Sequence, residues 1–188
     1  MITATYNDKP IVIDILAQSF DTNKSVNYVI KQDSKRIERI KLLMEYSFEL
    51  CFRYGSVLLS PEKNACALTM FPDKKRSSFR TVLWDAKLVL FAIGLFNLIK
   101  VIEREARIKK MHPGEPFTYL WFVGVLPAHQ GKGIGSSLLR ELIKDSNSQN
   151  RRVYLETSTE RNIPWYQRMG FEIYDELMLN YKLFFLRK

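Results

Sequence analysis

Along the first half of the chain, apolar residues switch between helical spacing and short dense runs. From Ser34 to Arg53 they fall at Ile37, Ile40, Leu43, Met44, Phe48 and Cys51, which predicts an amphipathic helix with Gly55 as its C-cap. Before it, Thr3 to Tyr6 alternates weakly as a short strand. Asp8 and Pro10 then start a helix through IVIDILAQSF, and Asp21 to Lys24 break the pattern. Ser56 to Leu59 and Ala65 to Phe71 are apolar runs separated by Pro61-Glu62-Lys63-Asn64, whose turn chemistry predicts an antiparallel pair.

Ser77 to Lys110 carries mostly helical signals, as one long helix or two consecutive ones, and Pro113-Gly114 stops it. Phe117 to Val125 is aromatic and β-branched, so it reads as a central strand that Pro127 prevents from continuing. Helical spacing returns at Ile134 to Lys144. Val153 to Thr157 reads as a strand, Ile163 to Met169 as a short helix ended by Gly170, and Phe171 to Tyr174 and Leu177 to Phe185 as closing strands. Strands that alternate with helices in the second half, with hairpins at both ends, predict an α/β fold: one curved mixed sheet with helices on both faces.

With 46% apolar residues in 188, the chain can bury one substantial core, so residues 1–188 are expected to form a single domain, the helical segment at about 77–110 preceding the central strand. This balance excludes disordered, fibrous and disulfide-stapled classes. Cys51 and Cys66 lack CxxC or Cys/His spacing, so they read as buried thiols and no metal site is expected. Met1 to Asp8 shows no basic region followed by an apolar one, so no secretion signal is read there and a cytoplasmic location is the default expectation.

Leu88 to Ile99 is strongly apolar, but Asn97 interrupts it and Lys100 closes it, whereas a membrane span needs about 20 apolar residues. A buried or substrate-lining helix is expected, without stable membrane insertion. The net charge of +9 suits an anionic partner: a phosphate-bearing cofactor, an acidic substrate, a lipid surface or nucleic acid. Basic residues are not interleaved with aromatics on one predicted face, and no helix-turn-helix or RNA-binding signature is present, which argues against nucleic acid.

The segment VGVLPAHQGKGIGSSLL, Val123 to Leu139, joins a strand to a helix. Its alternate glycines remove side chains that would block close approach, so successive backbone N–H groups can serve a phosphate. The helix start adds its dipole and unpaired donors, Gln130 a side-chain donor and Lys132 a charge. Taken alone, such a turn equally serves backbone geometry. A P-loop requires GxxxxGK with Ser or Thr and a dinucleotide fingerprint GxGxxG; the GxGxG spacing here fits neither.

Gln130-Gly131-Lys132-Gly133-Ile134-Gly135 is similar to the cofactor motif of the GNAT N-acetyltransferase superfamily: Gln or Arg, two residues, Gly, one residue, then Gly or Ala. Val125-Leu126-Pro127 upstream resembles that family too, as do Leu155-Glu156-Thr157-Ser158, Asn162-Ile163-Pro164-Trp165-Tyr166 and Gly170-Phe171 downstream. The puromycin-acetyltransferase type is the branch it most resembles. The likeness runs from about Phe117 to Tyr174 and rests before that on the order of elements.

The resemblance implies a V-shaped splay between the strands near 117–125 and 153–157, acetyl-CoA as cosubstrate, and direct attack by a primary amine on the thioester. A small-molecule amine is the expected acceptor, a peptide or protein amine on the same scaffold the alternative, and the chain a monomer or homodimer. The pantetheine arm would lie along Val123, Gly124 and Val125, with Gly124 easing a bulge or packing under an aromatic neighbour. The pyrophosphate would sit over Gln130, Gly131, Lys132, Gly133, Ile134, Gly135 and Ser136, with Asn162 and Tyr166 across the splay.

By the same resemblance Tyr166 is the general acid; otherwise it is a core tyrosine. An Asn commonly stands seven residues before that Tyr, where this chain has Thr159, so Asn162, four before, competes for the pantetheine. The central strand offers no carboxylate. Glu156 is the first choice of base, or else a structural partner of Arg161 or Arg152. His112 and Glu115 are weaker candidates, and His129 is expected to face solvent.

Overall fold

A computed structural model describes all residues 1–188. Seven strands form one sheet in the order β1-β2-β3-β4-β5-β7-β6: β1 Ile2–Thr3, β2 Gly55–Leu59, β3 Ala65–Met70, β4 Thr118–Val125, β5 Val153–Thr157, β6 Glu172–Met178 and β7 Lys182–Arg187. The helices are α1 Lys9–Ser19, α2 Lys24–Val29, α3 Arg36–Tyr54, α4 Phe79–Leu88, α5 Leu95–Met111, α6 Ile134–Ser148 and α7 Ile163–Arg168. All neighbouring strands are antiparallel except β4 and β5, which α6 connects as a crossover.

Each face of the sheet has its own core. Val12, Ile15 and Leu16 of α1 pack with Ile40, Met44 and Phe48 of α3 over one face, against Cys66, Leu68 and Phe122. On the other, Leu138, Leu139 and Leu142 of α6 cover Ala65, Ala67, Leu120 and Leu155. Leu120 and Phe122, two apart on β4, should share a face, yet they belong to opposite cores. The pairing explains why. Leu68 opposes Phe122 and Thr69 opposes Leu120, so Trp121 is an inserted residue that reverses the parity of the strand.

The bulge therefore sits at Trp121 and not at Gly124, which pairs regularly with Cys66. Gly124 is required for another reason: a Cβ there would lie 3.0 Å from both Leu16 Cδ2 and Ser19 Oγ of α1. The nearest atoms belong to α1 rather than to an aromatic neighbour. Gly55 is the C-cap residue of α3 as expected, but in extended backbone with φ −165° rather than a left-handed turn, and a Cβ would meet the Thr69 carbonyl oxygen at 2.0 Å.

The segment 77–110 is two helices. A five-residue π-turn at Val89–Ile93 and Gly94, with φ +78°, divide α4 from α5 and turn the chain through 117°. No single helix is long and apolar enough to cross a membrane. The short α2, whose Asn23 cap accepts from the Val26 amide at 3.0 Å, follows the predicted break. The last hairpin turns at Leu179–Tyr181 rather than between Tyr174 and Leu177. Asp175 and Glu176, which lie between the two predicted closing strands, are tolerated within β6 because it is an edge strand whose charged side chains meet water.

Gly55→Ala is expected to destabilise the protein by about 3 kcal/mol, because the clash is with backbone that cannot move aside. Gly114→Ala, where nothing lies within 4 Å, should stay within about 0.5 kcal/mol of wild type. Urea midpoints would check both, and equal midpoints would contradict the close approach of β2 to β3.

Candidate active site

After β4, a single 3₁₀ turn at Pro127–His129 leads into Gln130, then Gly131 and Gly133 in the left-handed region, with φ +76° and +79°. A side chain there would be strained, and both positions open onto free space. None of the amides of Gly131, Lys132, Gly133, Ile134, Gly135 and Ser136 donates to an acceptor in the chain. The apolar face of α6, buried at Leu138, Leu139 and Leu142, fixes them in place. Trp165 of α7 adds a bond from Nε1 to Ser136 Oγ at 2.8 Å. Six adjacent free donors at the positive end of a helix suit a diphosphate.

Two expected contributors stand differently. The Gln130 side chain turns back and donates to the Val125 carbonyl at 3.1 Å, closing the turn. Lys132 is exposed without an ion-pair partner, outside the cavity beside the turn. His129, expected to face solvent, is half-buried, with Nδ1 3.2 Å from Asn64 Nδ2.

β4 and β5 are in register only at Thr118–Val153 and Tyr119–Tyr154, and then part. The opening lies immediately before the Trp121 bulge. A cavity of about 1360 Å³ runs from the Gly-rich turn through this opening to the inner side of α5. Val123 and Val125 line it along β4, Glu156 and Asn162 on the opposite arm, and Val101 and Ile108 from α5. Gly124 does not, since it faces α1.

Tyr166 is buried at the start of the α7 arm, packed between Trp165 and Phe171. Its ring is part of the core, and its hydroxyl has no partner in the chain. Because no fully occluded polar side-chain atom lacks a partner, that hydroxyl meets the cavity its residue lines. Burial pushes the phenol well above the ordinary tyrosine range, so it holds its proton. Asn162 caps α7 without using its side chain, while Thr159 Oγ1 receives a long bond from Asn23 at 3.4 Å.

Glu156 is bonded to neither Arg161 nor Arg152. Its Oε1 lies 2.6 Å from His112 Nε2, and its Oε2 accepts from the Tyr119 hydroxyl at 2.6 Å. The Glu156 side chain is 7% exposed, and Tyr119 is raised far above the usual range by burial and by the neighbouring carboxylate. Glu115 lies outside the cavity, exposed.

The role of Tyr119 was not anticipated. Its signal was its position in the last β4–β5 pair, opposite Tyr154 and so two residues before Glu156 in register. Arg104 was also missed: it is buried, donates from Nε to Tyr181 at 2.9 Å, and shares with Val101 and Ile108 the spacing of an inward helix face.

Residues 101–171, from α5 to the end of α7, match the family model described as Acetyltransferase (GNAT) family. The whole chain superposes on a structure described as histone acetyltransferase HPA2 and related acetyltransferase from Corynebacterium glutamicum, with TM-score 0.70, 20% identity and 93% of that chain covered. It likewise superposes in full on arylalkylamine N-acetyltransferase 2 from Aedes aegypti, with TM-score 0.66, 15% identity and 96% of that chain covered. A third is Chaetomium thermophilum Naa20 in complex with a bisubstrate analogue, with TM-score 0.53, 13% identity, all of this chain and 84% of that one. The chain thus shares the fold of known acetyltransferases and matches the GNAT family model over residues 101–171, and the expected sheet with its parted central strands is the one observed.

Tyr166, Tyr119, Cys51 and Cys66 are all raised by burial, so the folded chain binds these protons more tightly than the unfolded one. Their contribution is intact below the ordinary thiol and tyrosine range of about 8.5–10 and is lost as pH climbs through it. The thermal midpoint is expected to fall above about pH 9. A midpoint rising there would contradict the burial of these groups.

Proposed function

We propose that the protein is an acetyl-CoA-dependent N-acetyltransferase acting on a small amine with an apolar body. The observation that carries this reading is the row of six unpaired amides at one end of a cavity that also holds the Tyr166 hydroxyl and the Glu156 carboxylate. Acetyl-CoA would supply an activated thioester carbonyl.

The amides of Gly131 to Ser136 bind the diphosphate, and the free edge of Val123 to Val125 orients the pantetheine. Asn162, with its unused side chain, is the better placed polar contact for that arm, since Thr159 is engaged by Asn23. Glu156, held by Tyr119 and His112, takes a proton from the substrate's ammonium group through water and so frees the amine that attacks. As the amine nitrogen bonds to the carbonyl carbon and the carbon–sulfur bond breaks, Tyr166 gives its proton to the departing sulfur and regains one, through water, from the nitrogen as it becomes the amide.

Apolar lining by Leu88, Ile93, Val101 and Ile108 favours an acceptor with a hydrocarbon body, and α5 closes that end as a wall where a peptide reader would need an open groove. A name among the structural neighbours, arylalkylamine N-acetyltransferase, supports the same substrate class.

Amines screened with acetyl-CoA while thiol release is followed should yield turnover with aryl- or alkylamines. Turnover with peptide N-termini alone would replace the small-molecule reading. Tyr166→Phe is expected to lower kcat by about 10²–10⁴-fold with coenzyme A affinity maintained, and retained turnover would remove Tyr166 from the acid role. Gly133→Val should weaken coenzyme A by about tenfold or more in calorimetry, because the turn must leave the left-handed region. Folded wild type that does not bind coenzyme A would end the proposal.

A further inference from the structure

Large exposed apolar side chains concentrate on the bent helix pair. Before Gly94, Phe79 is 78% exposed, and Leu90 and Phe91 are each 59% exposed; after it come Leu95 at 67%, Phe96 at 104% and Ile99 at 71%. Single exposed apolar residues are ordinary, whereas such a run marks an interaction surface. Nor is the elbow a frayed end. Ala92 and Ile93 are buried, the Lys31 amide donates to the Ala92 carbonyl at 2.9 Å, and Arg39 donates to that of Phe91.

Charge selects the occupant. Leu88 to Ile99 contains no charged residue, but residues 74–110 as a whole carry ten cations against three carboxylates, a surplus of seven out of the chain's net nine. Lys74, Lys75, Arg76 and Arg80 are exposed at the start of the pair, and Arg107, Lys109 and Lys110 at its end. Of the carboxylates, Asp85 is engaged by Tyr46 and Glu105 by Arg104, leaving Glu103. A second copy docked elbow to elbow would set like charge against like. An anionic bilayer answers both features, with an apolar boundary for the elbow and phosphates for its flanks.

We propose that the α4–α5 elbow docks the protein on anionic lipid surfaces, with Leu90, Phe91, Leu95, Phe96 and Ile99 entering the boundary between headgroups and acyl chains and the flanking lysines and arginines meeting lipid phosphates. No helix crosses the bilayer. The proposal is independent of acyl transfer, since these five side chains lie outside the cavity.

Flotation with vesicles of phosphatidylcholine, alone or with about 30% phosphatidylserine, tests it. Wild type should float with the anionic vesicles and at least tenfold less with the neutral ones. Phe91→Ser with Phe96→Ser should lower binding to anionic vesicles at least tenfold. Arg80→Glu with Lys110→Glu should remove the preference for anionic lipid, and added salt should weaken wild type. Thermal midpoints verify folding, and Phe96→Ala replaces the double variant if that one does not fold. Wild type that stays in solution overturns the proposal, as do elbow variants that float like wild type. A lipid-indifferent dimer dissolved by the elbow variants would assign the surface to a second copy instead.

Discussion

β4 and β5 are the single parallel pair of the sheet, and they stay together for two residue pairs before separating. A strand that leaves its neighbour exposes backbone donors and acceptors that a folded interior does not leave unmet, so the separation has to be held open from both sides. On the β4 side the Trp121 insertion turns Trp121 and Phe122 together toward the α1–α3 core and bends the strand. On the β5 side, Thr157 and Ser158 lead the chain away into α7, whose Trp165 is tied to the start of α6. The cavity, the cosubstrate channel proposed for it and the placement of every candidate residue follow from that parting.

The two ends of the cavity are built by different chemistry. At the Gly-rich turn the protein presents main chain alone, and its rigidity comes from the buried face of α6. At the opposite end a carboxylate is taken out of water and held by two hydrogen bonds, from Tyr119 and from His112, each contributed by a different element. A buried carboxylate without such partners would be neutralised or expelled. Here the two partners set its orientation toward the opening.

The helix pair α4–α5 serves two environments at once. Val101, Arg104 and Ile108 face the cavity at helical spacing, while Ile99 and Ile102 of the same helix face outward. A helix apolar on both sides is one that has something to meet on each. The sharp turn at Gly94 keeps this stretch from forming the continuous helix that its composition resembles, and its backbone is fastened to the body of the protein by Lys31 and Arg39.

Helix periodicity, the β2–β3 hairpin and the glycine spacing at 131–135 were legible in the sequence because each depends on neighbours a few residues apart. The same holds for Tyr166 and Glu156 as candidates, which lie in short local blocks that resemble the GNAT motifs. What the linear order did not contain was parity across strands. One inserted residue at Trp121 moves half of β4 to the other face, and only pairing with β3 reveals it. The partners of Glu156 come from residues 37 and 44 positions away, and Gly55 and Gly124 are glycines because distant backbone or side chains crowd them. Local spacing determined the elements and the phosphate turn, while tertiary structure decided which groups share the cavity, because long-range contacts, not intrinsic preferences, fix where a buried polar group finds its partner.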